Sequence, residues 1–190
     1  GDLIKGKIHY VLEAVNGGTI NTADRDNKKN LIAKLEIKPV PNFKLSASGQ
    51  LGHCTAVTNS LYNTSVVEGQ TYKQNRYAAG FEWKSKATGN DYHKNRCVTL
   101  RSEILGGKDG DCNSFGIYAA TSIPVYKGLD IVAMADYMNY NTDNGLKKTN
   151  LMAGLQYWIF KKCRLQAQYT YSLRSDAMKA IQGNNQSIIQ

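Results

Sequence analysis

Apolar and polar residues alternate with a period of two along nearly the whole chain, the mark of half-buried β-strands. Ile8, Tyr10, Leu12 and Ala14 are set against Lys7, His9 and Glu13. Leu31, Ala33, Leu35 and Ile37 alternate with Lys34, Glu36 and Lys38. Leu45, Ala47, Gly49 and Leu51 alternate with Ser46, Ser48 and Gln50. The pattern returns in Tyr77, Ala79, Phe81 and Trp83 against Arg76, Gly80, Glu82 and Lys84, and in Val98, Leu100 and Ile104 against Thr99, Arg101 and Glu103. Residues 115–123 read as a strand whose faces the pattern leaves open. Three further strands follow, through Leu129 to Tyr137, Leu151 to Ile159 and Leu165 to Tyr171, and a last partial strand is predicted over 180–190. The count is about ten strands, with no amphipathic helix competing.

The connections alternate in length. Short links are predicted at 39–42, 124–128 and 161–162, and longer polar loops at 17–29, 53–72, 106–113, 139–148 and 174–183. The link 87–94 breaks the alternation. Short turns at one end and long loops at the other predict an all-β, antiparallel up-and-down β-barrel of the outer-membrane type. Strands of about 9 to 11 residues suit a tilted crossing of a bilayer.

Alternation alone does not say which face is outside. A soluble carrier barrel turns its apolar face inward around a ligand; a membrane barrel turns it toward lipid. Three features favour the outward direction: the apolar rows carry no charge, the opposite rows mix both charge signs with Gln, Ser, Thr and Gly, and Tyr77, Trp83, Tyr137, Tyr157 and Tyr171 are placed near predicted strand ends, as in interfacial girdles. The composition agrees with a sheet, with 12 tyrosines, 17 glycines and only three prolines. No run of 18 apolar residues encodes a transmembrane helix, a test to which an alternating barrel is blind.

Several segments, in order, resemble the phosphate-selective porin family. Tyr10-Val11-Leu12-Glu13-Ala14-Val15-Asn16-Gly17 is similar to its Y-x-x-x-A-V-x-N-G segment, and Asp26-Asn27-Lys28-Lys29, Ala33-Lys34-Leu35 and Pro39 follow in the same order. Leu100-Arg101-Ser102-Glu103 resembles its strand with an inward glutamate. The stretch from Gly128 to Tyr140, then Gly154-Leu155-Gln156-Tyr157 and Ala167-Gln168-Tyr169, resemble its later strands. Met134 stands where that family usually has arginine, and the chain ends on Gln190 instead of an aromatic residue. The resemblance covers nearly all of this chain and the later part of the larger family barrel. It implies that residues 1–190 are one barrel domain in the outer membrane of a Gram-negative cell; either this domain is truncated at one or both ends or the resemblance is one of fold only.

The formal net charge is +9. Basic residues on the polar faces are Lys7, Lys34, Lys38, Arg76, Lys84, Arg101, Arg164 and Arg174, against Glu13, Glu36, Glu82, Glu103, Asp130 and Asp136. They admit two readings: a charged constriction that favours anions, or cross-strand ion pairs that fill a narrow barrel. Lys7, Lys34, Lys38, Arg76, Glu82, Arg101, Glu103 and Arg164 are the candidate lumen residues. Arg101 and Glu103 are two apart on one face and are placed to interact along the strand; Arg76 and Glu82 share one face of a neighbouring strand. A barrel of about ten strands is too narrow for a wide general pore.

Catalytic and metal chemistry find no support in the pattern. His9 reads as a lumen residue, and His53 and His93 have no ligand spacing. Asp130 and Asp136 are too far apart along a strand, roughly 20 Å, for an acid/base pair. Gly106-Gly107 reads as a turn rather than a phosphate loop. Cys54 and Cys112 fall at the long-loop end, Cys97 and Cys163 toward the short turns. That sorting permits two disulfides, Cys54 with Cys112 and Cys97 with Cys163, and equally permits four free thiols. Basic charge is spread over nearly every strand, unlike a nucleic-acid surface. The expectation is therefore a non-enzymatic, porin-like barrel without cofactor, surrounded by outer-membrane lipid, that passes or binds small solutes, anions such as phosphate among them. The alternative is a soluble β-barrel that binds a small apolar ligand.

Overall fold

The computed structural model describes residues 1–17, 27–85, 96–160 and 163–190. Its strands are β1 (Asp2–Ile4), β2 (Ile8–Asn16), β3 (Lys29–Val40), β4 (Phe43–Thr55), β5 (Thr71–Lys84), β6 (Thr99–Asp109), β7 (Cys112–Tyr126), β8 (Leu129–Asn139), β9 (Lys147–Phe160), β10 (Cys163–Arg174) and β11 (Gln186–Ile189), with one helix, α1 (Asp176–Gln182), before the last. They form one 11-stranded antiparallel sheet in chain order, β1 to β11. The up-and-down meander follows the period-two pattern. The sheet does not close on itself.

The differences from the sequence reading are local. β1 and β11 are short edge strands, and α1 lies inside the predicted loop 174–183. Ser175 caps α1, accepting from the Met178 N–H, and Gly183 ends it with φ 78°. Residues 106–113 are not a loop. Gly106 and Gly107 lie within β6, and the chain reverses at Gly110-Asp111, where Gly110 adopts φ 62°. Only a residue tolerant of positive φ fits such a tight reversal. The links 87–94 and 161–162 and most of 17–29 lie outside the described residues.

Register keeps the apolar rows in phase across the sheet. From Phe43 one row runs through Trp83, Leu100, Thr121, Ala133 and Ala153 to Tyr169. Phe43 is the first residue of β4, whereas Tyr169 lies six residues beyond Cys163, where β10 begins. The strands are thus progressively staggered, as tilted strands of a curling sheet must be. Register shifts occur only near strand ends, as between Ile37 and Val40 or Pro124 and Tyr126. Elsewhere a slip of one residue would exchange the two faces.

The polar face is the inner one. Leu155 is 52% exposed while its neighbour Gln156 is 5% exposed, and Ile131 is 43% exposed beside Asp130 at 3%. Among the described residues the buried hydrophobic side chains are only Cys54, Ala56, Cys112, Val132, Leu146 and Met178. The sheet therefore curves with its polar rows on the concave side, and the leucines, isoleucines and tyrosines of the convex side are uncovered. Phe115 and Ile117 join that exposed face, which resolves the strand left open by the pattern.

One tight contact fixes the register of β4 against β3. A Cβ at Gly52 would lie 1.8 Å from Asn30 Oδ1 and 2.8 Å from Asn30 Cα. Asn30 is buried and its Oδ1 accepts from the His53 N–H at 2.7 Å. Gly52→Ala is expected to destabilise the fold by about 1–3 kcal/mol through overpacking. A shift of the denaturant midpoint measures this; an unchanged midpoint would show that the Asn30 amide is not held there.

Candidate functional site: the polar groove and its inward loop

The concave face carries a band of ion pairs near the short-turn end. Lys34 Nζ lies 2.9 Å and Lys44 Nζ 3.8 Å from Glu36 Oε1. On the neighbouring strands Lys84 Nζ and Arg101 Nε each lie 2.9 Å from the Glu82 carboxylate. Lys44, Glu82 and Arg101 stand opposite one another across β4, β5 and β6. Four cations thus surround two carboxylates. The cations are partly solvent-exposed, so each pair stabilises by no more than about 1 kcal/mol. Their main consequence is a local excess of positive charge.

One predicted pairing is replaced. Arg101 turns to Glu82 on the adjacent strand, not to Glu103 along its own. Glu82 stands directly opposite Arg101, and a direct cross-strand neighbour lies closer than a residue two along the same strand, which favours the exchange. Arg76, on the same face of β5 as Glu82, donates to Asp109 Oδ2 on β6 at 2.9 Å. Lys7 lies in the turn between β1 and β2, where its carbonyl accepts from the Lys38 N–H at 2.7 Å. Neither Lys7 nor Lys38 joins the band of ion pairs.

A second polar network spans β8, β9 and β10. Asp130 accepts from Gln156 Nε2 at 3.1 Å and Trp158 Nε1 at 2.8 Å, and it pairs with Arg96. Arg164 donates to Gln156 Oε1 at 3.1 Å and lies over the Trp158 ring, 5.6 Å from its centre. Nearer the loops, Ser172 donates to Asn150, which donates to Asp136. Arg174 is drawn away from the groove: its guanidinium donates to the carbonyls of Gln182, Gly183 and Asn184 and to Gln186 Oε1.

At the long-loop end, residues 56–70 fold inward over the concave face. Tyr62 stacks on Tyr140 with ring centres 4.9 Å apart, and its hydroxyl accepts from Gln182 of α1. Asn141 Nδ2 donates to the Tyr62 carbonyl at 3.1 Å, and Asn63 Nδ2 to the Asp109 carbonyl at 2.7 Å. The connection between β4 and β5 is thereby tied to the far side of the sheet. Burial, and next the neighbouring Tyr62, push the Tyr140 hydroxyl above its ordinary pKa. Beneath the loop lies a cavity of about 640 Å³, whose wall includes Arg76, Glu103 and Asp109.

His9 Nδ1 lies 2.8 Å from Asp2 Oδ1, and His93 is outside the described residues. All four cysteines are free thiols, so neither permitted disulfide forms. Among the described residues no cluster of three or more His, Cys, Asp or Glu is placed to hold a metal, and no helix is long and apolar enough to cross a membrane.

Sequence reasoning missed Lys44, Arg96 and the loop tyrosine Tyr62. Lys44 carries a legible signal, since the alternation of β4 extends one step before Leu45. Arg96 and Tyr62 lie outside any period-two run, and only the fold brings them to the groove. The loop's attachment through Tyr62 is testable. Tyr62→Ala removes a ring stack and a hydrogen bond, worth together about 1.5–2.5 kcal/mol. Amide exchange in residues 56–70 is expected to accelerate on the order of tenfold, and unchanged exchange would mean the loop is held elsewhere.

No protein-family model, curated protein or solved structure matches the chain. The groove, its charges and the uncovered convex face therefore carry the functional reading.

Proposed function

We propose that the chain forms the wall of an outer-membrane-type β-barrel that passes or binds small solutes, with its convex face in lipid and its polar groove as lumen. The observation that carries this reading is the uncovered apolar face: it extends from Leu12 on β2 to Tyr169 on β10 while the polar rows are the buried ones. Soluble monomers rarely leave so large a contiguous apolar surface in water. A soluble carrier barrel would instead line a closed cavity with those rows. Strands of 9 to 15 residues in β2 to β10 are long enough to cross a bilayer at a tilt.

The excess of cations around Glu36 and Glu82 supports small anions as solutes at that level of the lumen. The inward loop and the side-chain networks keep the passage narrow. Closure of the sheet belongs to the same reading, because unpaired strand edges are not tolerated in hydrocarbon.

The chain's two tryptophans test the orientation directly. Trp83 lies on the convex row between Phe43 and Leu100, whereas Trp158 points into the groove at Asp130. In vesicles of brominated phospholipid, Trp158→Phe leaves Trp83 as the only emitter and its fluorescence is expected to be quenched strongly. Trp83→Phe leaves Trp158, expected to be quenched weakly. Equal quenching, or folding as a monomer without detergent or lipid, contradicts the barrel.

Anion passage has its own measurement. Arg101→Gln and Lys84→Gln together leave Glu82 without its two closest cations. The reversal potential in a salt gradient is expected to move toward cation preference by several millivolts. A potential that stays in place would remove this band from the selectivity of the lumen.

A further inference from the structure

The cavity beneath residues 56–70 owes its space to small side chains on the floor of the groove. Gln50, Arg76, Gly107 and Ser114 stand in one row across β4 to β7. Ser48 and Ala78 stand opposite each other in the next row toward the short turns. Serine, alanine and glycine fill little of the height between the sheet and the loop. About 640 Å³ stays open there, a volume in the range that encloses a small organic molecule.

Charge does not select an ion in this space. Glu103 and Asp109 stand six residues apart on β6, about 20 Å, too far to act as one centre. Glu103 is engaged by the Tyr118 hydroxyl beside Arg101, and Asp109 is paired with Arg76. An ion entering under the loop would give up its hydration and meet only that mutually neutralised pair.

The wall instead sets apolar surface beside hydrogen-bonding groups. Tyr62, Tyr72 and Tyr140, with Leu105 and Met138, line the same space, and a tyrosine offers an apolar ring with a polar tip. Gln50 donates to Gln74 Oε1 and Arg76 to Asp109 Oδ2. Among the described residues, the Gln50 carbonyl oxygen, the other Arg76 N–H groups and the hydroxyls of Ser48 and Ser114 meet no further partner. Gln50 and Arg76 are direct cross-strand neighbours, so an acceptor and a donor lie side by side. A sugar ring has the matching pattern: apolar C–H faces, and adjacent hydroxyls that each donate and accept. An aliphatic ligand would leave the polar groups without partners.

We propose that this cavity is a binding site for an uncharged saccharide, its C–H surface against the tyrosine rings and its hydroxyls bonded to Ser48, Gln50, Arg76 and Ser114. The site is a property of the folded groove and does not require the lumen band to select anions. The groove then has two levels of different preference, a cationic band toward the short turns and a neutral, ring-lined pocket under the loop.

Calorimetric titration of the folded full chain tests this with maltose as probe, and with glycerol and inorganic phosphate in parallel. Glycerol has hydroxyls without a ring, and phosphate has charge. Maltose is expected to bind with one site per chain, at least about tenfold more tightly than either. Ser114→Leu fills the floor from β7 and should weaken maltose binding at least about fivefold. Ser48→Leu fills the same space from β4, and stands as the second variant if the first does not fold. Maltose binding no tighter than glycerol, phosphate binding as tight as maltose, or unchanged maltose affinity in a folded Ser114→Leu or Ser48→Leu variant would overturn the proposal. The lipid-quenching experiment reads the opposite face of the sheet, so failure of the barrel reading and failure of this site are distinguishable.

Discussion

The phase of the antiparallel register governs the rest of the molecule. Each strand places alternate residues on opposite faces, and the pairings from β2 to β10 keep the two faces in phase from strand to strand. The shifts that occur are placed beside turns and at an edge, where they reorient a strand end without exchanging the faces of its body. Contacts such as Gly52 against Asn30 resist slippage, because any larger residue would force the two strands apart. With the phase fixed, curvature has only one polar side to enclose. The groove is the result of that sorting more than of any single attractive contact.

What fills the groove differs from an ordinary protein core. Asp130, Gln156 and Ser172 are buried with hydrogen-bond partners from neighbouring strands, as buried polar groups require. Such networks add little net stability per bond, about 1 kcal/mol, yet breaking one partner strands another. They therefore specify the inner wall more than they strengthen it. The long-range ties are of the same kind. Tyr62 meets Tyr140 and Gln182, and Arg174 holds the chain between α1 and β11. The organised end of the groove is built from these side-chain contacts because the backbone ladder cannot reach across it.

The sequence made the sheet legible because period two is a local property. The strands of residues 8–14, 31–38, 45–51, 76–84 and 129–137 emerge on the faces the alternation assigned to them. The candidate site was legible only in part. Lys34, Arg76, Glu82, Arg101 and Glu103 do lie on the inner face, since a face follows from position along a strand. Their partners do not follow from it: Arg76 meets Asp109 and Arg101 meets Glu82 because pairing depends on the register between strands. Glycine misled the reading at Gly106-Gly107. Two adjacent glycines ordinarily mark a reversal, but here Gly106 lies against the Tyr77 ring, whose hydroxyl would come within 2.5 Å of an added Cβ. Small size, not turn geometry, is what that position uses.

Strand parity constrains how such a sheet completes itself. Consecutive strands are antiparallel throughout, so in an 11-stranded sheet the first and last run in the same direction. Direct pairing of β1 with β11 would be parallel, unlike every other pair. β11 is antiparallel to β2, however, and β1 covers only the beginning of β2, at Ile8 and His9. Displacement of β1 would let β2 meet β11 in a ten-stranded, fully antiparallel closure, and an odd number of added strands would serve equally. β11 and the residue after it bond to the backbone of β10 from Gln168 to Ser172, leaving backbone groups nearer the start of β10 open. Unpaired edges promote association in water and are not tolerated in lipid. The same short edge strands that leave this sheet open therefore also leave the inner strands β2 and β10 accessible for the pairing a barrel requires.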